Sequence, residues 1–422
     1  MVTANEKRNG RLKICLLTYR GNPTCGGQGV YINYLSRALR DLDHEVEVIS
    51  GPPYPVLAPG IKLHKLPGLD LYNPDHLFEV QRWEDLLSPL NQIEYVSMCA
   101  GGFPEPLTFG WRVYLNLRSR KPSYDIIHDN QCLAYGLLGL PRLGFPLVAT
   151  IHHPITVDRD VELMATRGLL KKIKVHRWYS FIRMQKRVTR RLARIITVSE
   201  CSKQDISDDF RVTAKKFRVV PNGINTDYFY PLPHVTRRPH HLLTTNSADT
   251  PLKGLRYLLE AVKIIRERRA IHLTIIGEPK KEGVIEKLVK EWQLEDHVRF
   301  TGRIAYEAFA GHYAAATMAV IPSLYEGFGM PAGEAMACGV PVISTTGGAL
   351  PEVVGDAGVL VPPGDTGALV KAIENLLDHP ERREALGQAG LKRVRNSLTW
   401  EHAARKTVDV YRETIDAYRR LQ

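Results

Sequence analysis

Ile321-Pro-Ser-Leu-Tyr-Glu-Gly-Phe-Gly-Met-Pro-Ala-Gly-Glu-Ala-Met-Ala-Cys-Gly-Val-Pro-Val-Ile-Ser-Thr-Thr-Gly-Gly-Ala-Leu-Pro-Glu352 packs two strand, glycine-turn, helix units into one run. The residues entering it, Met318–Ile321, form an apolar run of the length of a buried parallel strand. A loop follows with Glu326, Gly327 and Gly329. Pro331 sits where a helix begins, because its missing N–H would be unpaired there anyway. Glu334 is expected in the first turn or so, where a carboxylate suits the helix dipole. Gly339 stops the helix with a residue that tolerates positive φ. Val340–Ile343 reads as the next strand, and Gly347-Gly348 opens a second short helix. Both turns are expected to offer unpaired backbone N–H groups at helix N-termini, a place for phosphate oxygens. Glu326 and Glu334 flank the first turn, and ionised carboxylates accept strongly from sugar and ribose hydroxyls. Helix capping accounts for the glycines but not for Glu326, which caps nothing obvious.

This run resembles the Glu-x7-Glu signature of the retaining GT-B glycosyltransferases, a family that includes bacterial mannosyltransferases, sucrose synthases and glycogen synthases. The resemblance implies an α/β chain of two facing Rossmann-like domains with an inter-domain cleft. It implies a nucleotide-diphosphate sugar held mainly by the second domain and an acceptor held by the first. It further implies retention of anomeric configuration, no metal, and no cofactor beyond the donor substrate itself.

Length and composition agree with that frame. A chain of 422 residues is too long for one ordinary core, so two domains are expected. Hydrophobic residues at 44% mark a globular chain rather than a disordered one. No run reaches the roughly 18–20 apolar residues of a membrane span. Met1–Gly10 is polar and lacks the apolar core of a secretory signal. Six cysteines without a Cys-x-x-Cys pair point to a reducing, cytoplasmic setting rather than to zinc or disulfides.

In the N-terminal half, the apolar run Leu12–Thr18, a glycine loop at Asn22–Gly29, an amphipathic helix over Val30–Leu39 and the strand Val46–Ile49 form a βαβ unit. The loop spacing is not Gly-x-Gly-x-x-Gly, which weakens a dinucleotide reading. By the resemblance, Gly26 and Gly27 lie across the donor phosphates. Helical patches are expected at Leu77–Leu87 and Arg112–Leu117, and the turn Gly101–Pro106 is a candidate for presenting Glu105 to an acceptor. Tyr124–Asp129 and Leu147–His152 are strands, and side chains at the carboxyl ends of parallel strands face a ligand crevice. His128, His152 and His153 are therefore candidates by position. The Thr-x-His ending matches the family, in which that histidine faces the donor sugar, so His152 is singled out. Asp158-Arg-Asp160 imitates a metal-binding tripeptide but is read as a solvated loop.

Between Arg167 and Arg194 there are eleven Lys or Arg residues and no Asp or Glu. The stretch Gly168–Arg194 reads as one long helix, with Leu169, Ile173, Phe181, Met184, Val188 and Leu192 on one arc and cations on another. This suits either a core helix with a solvated face or an anionic membrane surface. Nothing resembles the basic-aromatic interleaving of a nucleic-acid site.

Pro231–His241 reads as the linker between domains over 1–230 and 231–398, and 399–422 as a C-terminal helix returning to the first domain. The second domain opens with the strand His241–Thr245 and the helix Leu255–Ile265. Family members carry an arginine after this strand and a Lys-Gly before the helix, both holding the donor diphosphate. Lys253-Gly254 is present, whereas Asn246 or Ser247 stands in place of the arginine, with Arg303 a possible substitute. Gly277 ends the strand that begins at Leu273, near which base and ribose pack in the family. The roles implied are Lys253 and Gly347-Gly348 on the diphosphate, Glu334 on ribose, and Glu326 with the Gly327, Phe328, Gly329 and Met330 backbone on the sugar, with His152 orienting it. The expected activity is transfer of a hexosyl unit from a UDP- or GDP-sugar to a lipid-linked, glycan or small-molecule hydroxyl. A UDP-sugar epimerase or hydrolase, or a non-catalytic nucleotide-sugar-binding protein, are the alternatives.

Overall fold

The computed structural model describes residues 10–21, 27–73, 76–80, 82–246 and 250–422. Two compact units emerge. The first holds the described residues up to Val198 together with Ser202–Val220 and Ala403–Gln422; the second holds Ser199–Cys201 and Pro221–His402.

The first unit is built on seven parallel strands: β1 (Lys13–Thr18), β2 (Glu45–Ser50), β3 (Lys62–Lys65), β4 (Ile126–Asn130), β5 (Leu147–Ile151), β6 (Ile195–Thr197) and β7 (Phe217–Val219). Their order is β3-β2-β1-β4-β5-β6-β7. The central strands β4 and β5 are buried along their whole length, which is why they read as continuous rather than alternating apolar runs. Helix Gly27–Asp41 crosses from β1 to β2 and buries Tyr31, Ile32, Leu35 and Leu39. Strand order reverses between β1 and β4, so the crevice at their carboxyl ends is the topological switch point. The C-terminal helix Trp400–Arg419 joins this unit from Ala403 onward. There Glu413 pairs with Arg218 at 2.8 Å and Tyr418 donates to the Pro141 carbonyl at 2.7 Å.

The second unit has six parallel strands: β8 (His241–Thr245), β9 (His272–Ile276), β10 (Val298–Phe300), β11 (Met318–Ile321), β12 (Val342–Thr345) and β13 (Val359–Val361). The order β10-β9-β8-β11-β12-β13 puts its switch point between β8 and β11. Leu255, Leu258, Leu259, Val262 and Ile265 of helix Leu255–Ile265 pack with β8, β9 and β11 into one core.

Several expectations are corrected. Gly168–Arg194 is not one helix: Leu169–Trp178 and Ile182–Thr189 are separated by a 3-10 turn at Tyr179–Phe181. The helix tightens where Trp178 stacks on Phe103 at 5.1 Å and Phe181 meets the same ring at 5.5 Å. Met184, Val188 and Leu192 are buried as the periodicity requires, yet Leu169 and Ile173 are 75% and 52% exposed. The Leu77–Leu87 patch is helical only as a 3-10 turn at Trp83–Leu87, whereas Arg112–Leu117 is part of a longer helix, Glu105–Arg120. Asp158 and Asp160 lie in helix Thr156–Ala165 rather than in a loop, with Asp158 in its first turn. Pro231–His240 is bound into the second unit, where the Arg238 N–H donates to the Ala315 carbonyl at 2.9 Å and Arg237 donates to the Gly339 carbonyl at 2.6 Å.

Candidate active site

In the second unit the site grows from β11. After Ile321 the chain turns through Glu326, and helix Met330–Ala337 starts behind Gly329, whose φ of 102° excludes a side chain in ordinary conformation. The 3-10 turn Pro251–Lys253 ends on Gly254, and a Cβ there would lie 2.0 Å from the Pro322 carbonyl oxygen. Only glycine lets the two loops lie this close, and the approach is knitted by Leu324 N–H donating to the Leu252 carbonyl at 2.7 Å. The result is that Lys253 Nζ stands 2.7 Å from Glu326 Oε1, which also accepts from Ser323 Oγ at 2.8 Å. Sequence reasoning named both charged residues but neither their pairing nor Ser323.

The second glycine turn closes on the first. A Cβ on Gly348 would lie 2.2 Å from the Glu326 carbonyl oxygen, and one on Gly347 2.5 Å from that of Leu324. The Ala349 N–H donates to the Glu326 carbonyl at 2.8 Å and the Gly347 N–H to Thr345 Oγ1 at 3.2 Å. The turn therefore uses two of its amides internally. Of the three, only the Gly348 amide has no acceptor among the described residues. This narrows the expected cradle of free amides.

Glu334 is the fifth residue of its helix, not a first-turn residue. It is buried, and the hydroxyls of Tyr306 and Tyr313 donate to it at 3.2 and 3.3 Å. Burial pushes its pKa up to about 7, against the two phenol hydrogen bonds and the Lys253 charge. Lys253 thus acts on both carboxylates. Phe328 is buried, and Met330 is the first helical residue. Gly277 follows β9 with φ 136° and bridges to Gly302. Asn246, just after β8, is buried and its side-chain oxygen has no partner among the described residues. Ser247 lies outside the described residues.

In the first unit His152 directly follows β5. Its Nε2 is 2.8 Å from Asn130 Oδ1, and its backbone N–H donates to Gln131 Oε1 at 2.8 Å. Its ring meets the Tyr31 ring edge-on at 4.6 Å. Burial, aided by neighbouring His153, lowers its pKa to about 3, so the imidazole is neutral across the physiological range. Asn130, Gln131 and Tyr31 were missed. The strand-end signal that picked out His128 would have found Asn130, two residues along the same strand.

His128 has both ring nitrogens engaged within the protein. It is buried, with its two nitrogens on Tyr411 Oη and Thr150 Oγ1, both at 2.7 Å. His153 pairs with Asp158 at 2.7 Å. Glu105 opens helix Glu105–Arg120 and is buried beside Arg20 at 3.4 Å, with burial pushing its pKa up to about 8; it presents nothing to solvent. Gly27 begins helix Gly27–Asp41 with open space where a Cβ would stand. Gly26 lies outside the described residues.

Two doubly wound sheets with polar side chains gathered at strand ends and glycine turns are the marks of a GT-B glycosyltransferase. Residues 25–228 match the family model for glycosyltransferase family 4, and residues 239–379 match that for glycosyl transferases group 1. The chain belongs to this glycosyltransferase family. It is 43% identical over 408 residues to an MMP alpha-(1->4)-mannosyltransferase of Mycolicibacterium hassiacum, with 96% of this chain and 98% of that one covered. Among solved structures, it matches a sucrose-phosphate synthase of Thermosynechococcus elongatus at 25% identity and a TM-score of 0.68, over 96% and 100% of the two chains. It has the fold of Anabaena HepE, solved with UDP and glucose, at 16% identity and a TM-score of 0.68, over 96% and 100%. The protein is a glycosyltransferase, and the epimerase, hydrolase and non-catalytic alternatives give way to that reading.

Proposed function

We propose that the protein transfers a hexosyl unit, specifically mannose, from a nucleotide-diphosphate sugar to a hydroxyl acceptor, with retention and without a metal. The observation that carries this reading is the Lys253–Glu326 pair held on interlocked glycine turns. Breaking a sugar–phosphate bond places charge on the leaving phosphate. A fixed ammonium and a free main-chain amide, Lys253 and Gly348, stabilise that charge without reorganising. Glu326 accepts from sugar hydroxyls, and Glu334 from the ribose. His152 orients the transferred sugar. With Nε2–H donated to Asn130 Oδ1, its Nδ1 remains as an acceptor for a hydroxyl. The HepE complex with UDP and glucose supports a nucleotide-sugar donor, and the Mycolicibacterium relative supports mannose.

The test is a product assay with labelled GDP-mannose and UDP-glucose and a mannose oligosaccharide acceptor, run with and without EDTA. Transfer with an α-linked product and no loss in EDTA is expected. A β-linked product, or loss of turnover in EDTA, sinks the mechanism.

A second reading concerns the acceptor's location. Leu169, Leu170 and Ile173 are 75%, 77% and 52% exposed on a helix that carries Lys171, Lys172, Lys174 and Arg177 and no acid. Apolar side chains beside cations suit an anionic bilayer surface, and we propose peripheral contact there. No helix among the described residues is long and apolar enough to cross a membrane. Co-sedimentation with phosphatidylglycerol but not phosphatidylcholine vesicles is expected, and its loss in a Leu169→Gln/Ile173→Gln variant. Equal pelleting with and without vesicles would remove this reading.

A further inference from the structure

Tyr411 is among the largest fully buried side chains of the first unit. A buried phenol costs stability unless its hydroxyl is bonded. Its partner is His128 Nδ1 at 2.7 Å, and the other ring nitrogen, Nε2, is 2.7 Å from Thr150 Oγ1. Thr150 Oγ1 in turn is 3.0 Å from the Tyr31 hydroxyl, and the Tyr31 ring stands edge-on to His152.

Side chains two residues apart on a strand share a face. His128 and Asn130 on β4 therefore face the same way, as do Thr150 on β5 and His152 just beyond it. Each pair is joined to the other by a hydrogen bond: His128 to Thr150, and Asn130 to His152. These are two rungs of one ladder. Tyr31, from helix Gly27–Asp41, touches both rungs. Tyr411, from the C-terminal helix, holds the end of the inner rung.

The polarity of the inner rung follows from counting donors. Burial lowers the pKa of His128 to about 3, so its ring carries one N–H. Tyr411 has no second partner among the described residues, so its O–H is satisfied only by donating to Nδ1. The proton of His128 then sits on Nε2 and is donated to Thr150. Without the phenol, Nδ1 loses its donor and the ring is free to take the other tautomer, which turns the Thr150 hydroxyl toward His128 and obliges Thr150 to accept from Tyr31.

We propose that Tyr411 is a positioning residue for His152, acting through His128, Thr150 and Tyr31. The inference rests on the role of His152 in the proposed function. Tyr411→Phe keeps the ring and the packing and removes the hydroxyl. It is expected to lower kcat about tenfold with donor KM within about twofold, because misplacing a catalytic group slows turnover more than it weakens binding. Combined with His152→Ala, it is expected to cause no further loss. Histidine nitrogen NMR is expected to show His128 as the Nε2–H form in the native protein and a shift toward Nδ1–H in Tyr411→Phe. If Tyr411→Phe does not fold, Tyr31→Phe is read in the same cycle. Unchanged kcat in either variant, or losses that multiply with His152→Ala, overturns the proposal. Wild-type turnover in His152→Ala alone removes the role of His152 itself and the proposal with it, so the two failures are told apart.

Discussion

The two units hold their candidate residues by opposite means. In the second unit charge is fixed by backbone: Lys253 and Glu326 meet because Gly254, Gly347 and Gly348 let three loops lie closer than any side chain would permit. In the first unit a neutral imidazole is fixed by side chains: Asn130, Gln131 and Tyr31 hold His152, and Tyr411 and His128 stand behind them. In the proposed function the charged set answers to developing charge, where preorganised dipoles count most. The neutral set answers to orientation, where distance and angle count most.

The largest effect that separates them is electrostatic. Lys253→Ala is expected to lower kcat by about 10²–10³-fold, the usual loss when one preorganised donor to a developing charge is removed. Glu326→Ala is expected to fall as far, while both variants keep a cooperative thermal transition. Near-normal turnover in both would mean that the ion pair is only structural. The comparison would then collapse to orientation alone.

Steric need gives the next contrast. Gly348 has φ 64° and a Cβ there would lie 2.2 Å from the Glu326 carbonyl oxygen, so Gly348→Ala must push the loop aside. A loss of roughly 2–3 kcal/mol is expected, read by chemical denaturation, with turnover falling alongside. Gly27 in the first unit meets nothing within 4 Å. Gly27→Ala is expected to change stability by less than about 1 kcal/mol, so any change in its donor KM reports on ligand contact. Equal destabilisation at both positions would erase the distinction.

What the sequence revealed follows the same division. The strands His241–Thr245 and Met318–Ile321 and the helix Leu255–Ile265 are readable to the residue, because local apolar runs and punctuating glycines decide them. Lys253, Glu326 and Glu334 are nameable because they fall on the Lys-Gly and Glu-x7-Glu patterns of the family the chain resembles. The partners are not, since Lys253 and Glu326 are 73 residues apart and Tyr411 and His128 are 283 apart. No periodicity links such pairs. The Gly168–Arg194 stretch fails for a related reason. Its apolar spacing continues unbroken, but contacts with Phe103 tighten it into a turn and leave Leu169 and Leu170 outward. Glu105 was misplaced because a Gly-Pro-rich entry looks the same whether it leads to a loop or caps a buried helix start.

The smallest contrast lies in how each half titrates, and there the signs are opposite. Glu334 has a folded pKa of about 7, above its ordinary 4.5. Across that window the folded chain holds a proton that the unfolded chain has released. Its contribution is full at low pH and lost as pH rises toward 7, about 3 kcal/mol at most. His152 goes the other way, from an ordinary 6.5 down to about 3. Below 6.5 the unfolded chain binds a proton that the folded chain refuses, so its contribution grows as pH rises. Melting temperatures of the native protein, Glu334→Gln and His152→Gln between pH 5 and 7.5 separate the two, each read as the difference from native. The Glu334→Gln difference is expected to climb with pH, since the native carboxylate becomes harder to keep buried. The His152→Gln difference is expected to fall, since the penalty on a neutral imidazole disappears. Parallel trends would show that one of the two groups sits in a different protonation state from the one its burial dictates. Parallel trends of that kind would place an ionised Glu334 against Lys253, drawing the ammonium from Glu326 and merging the two carboxylates into one charged site.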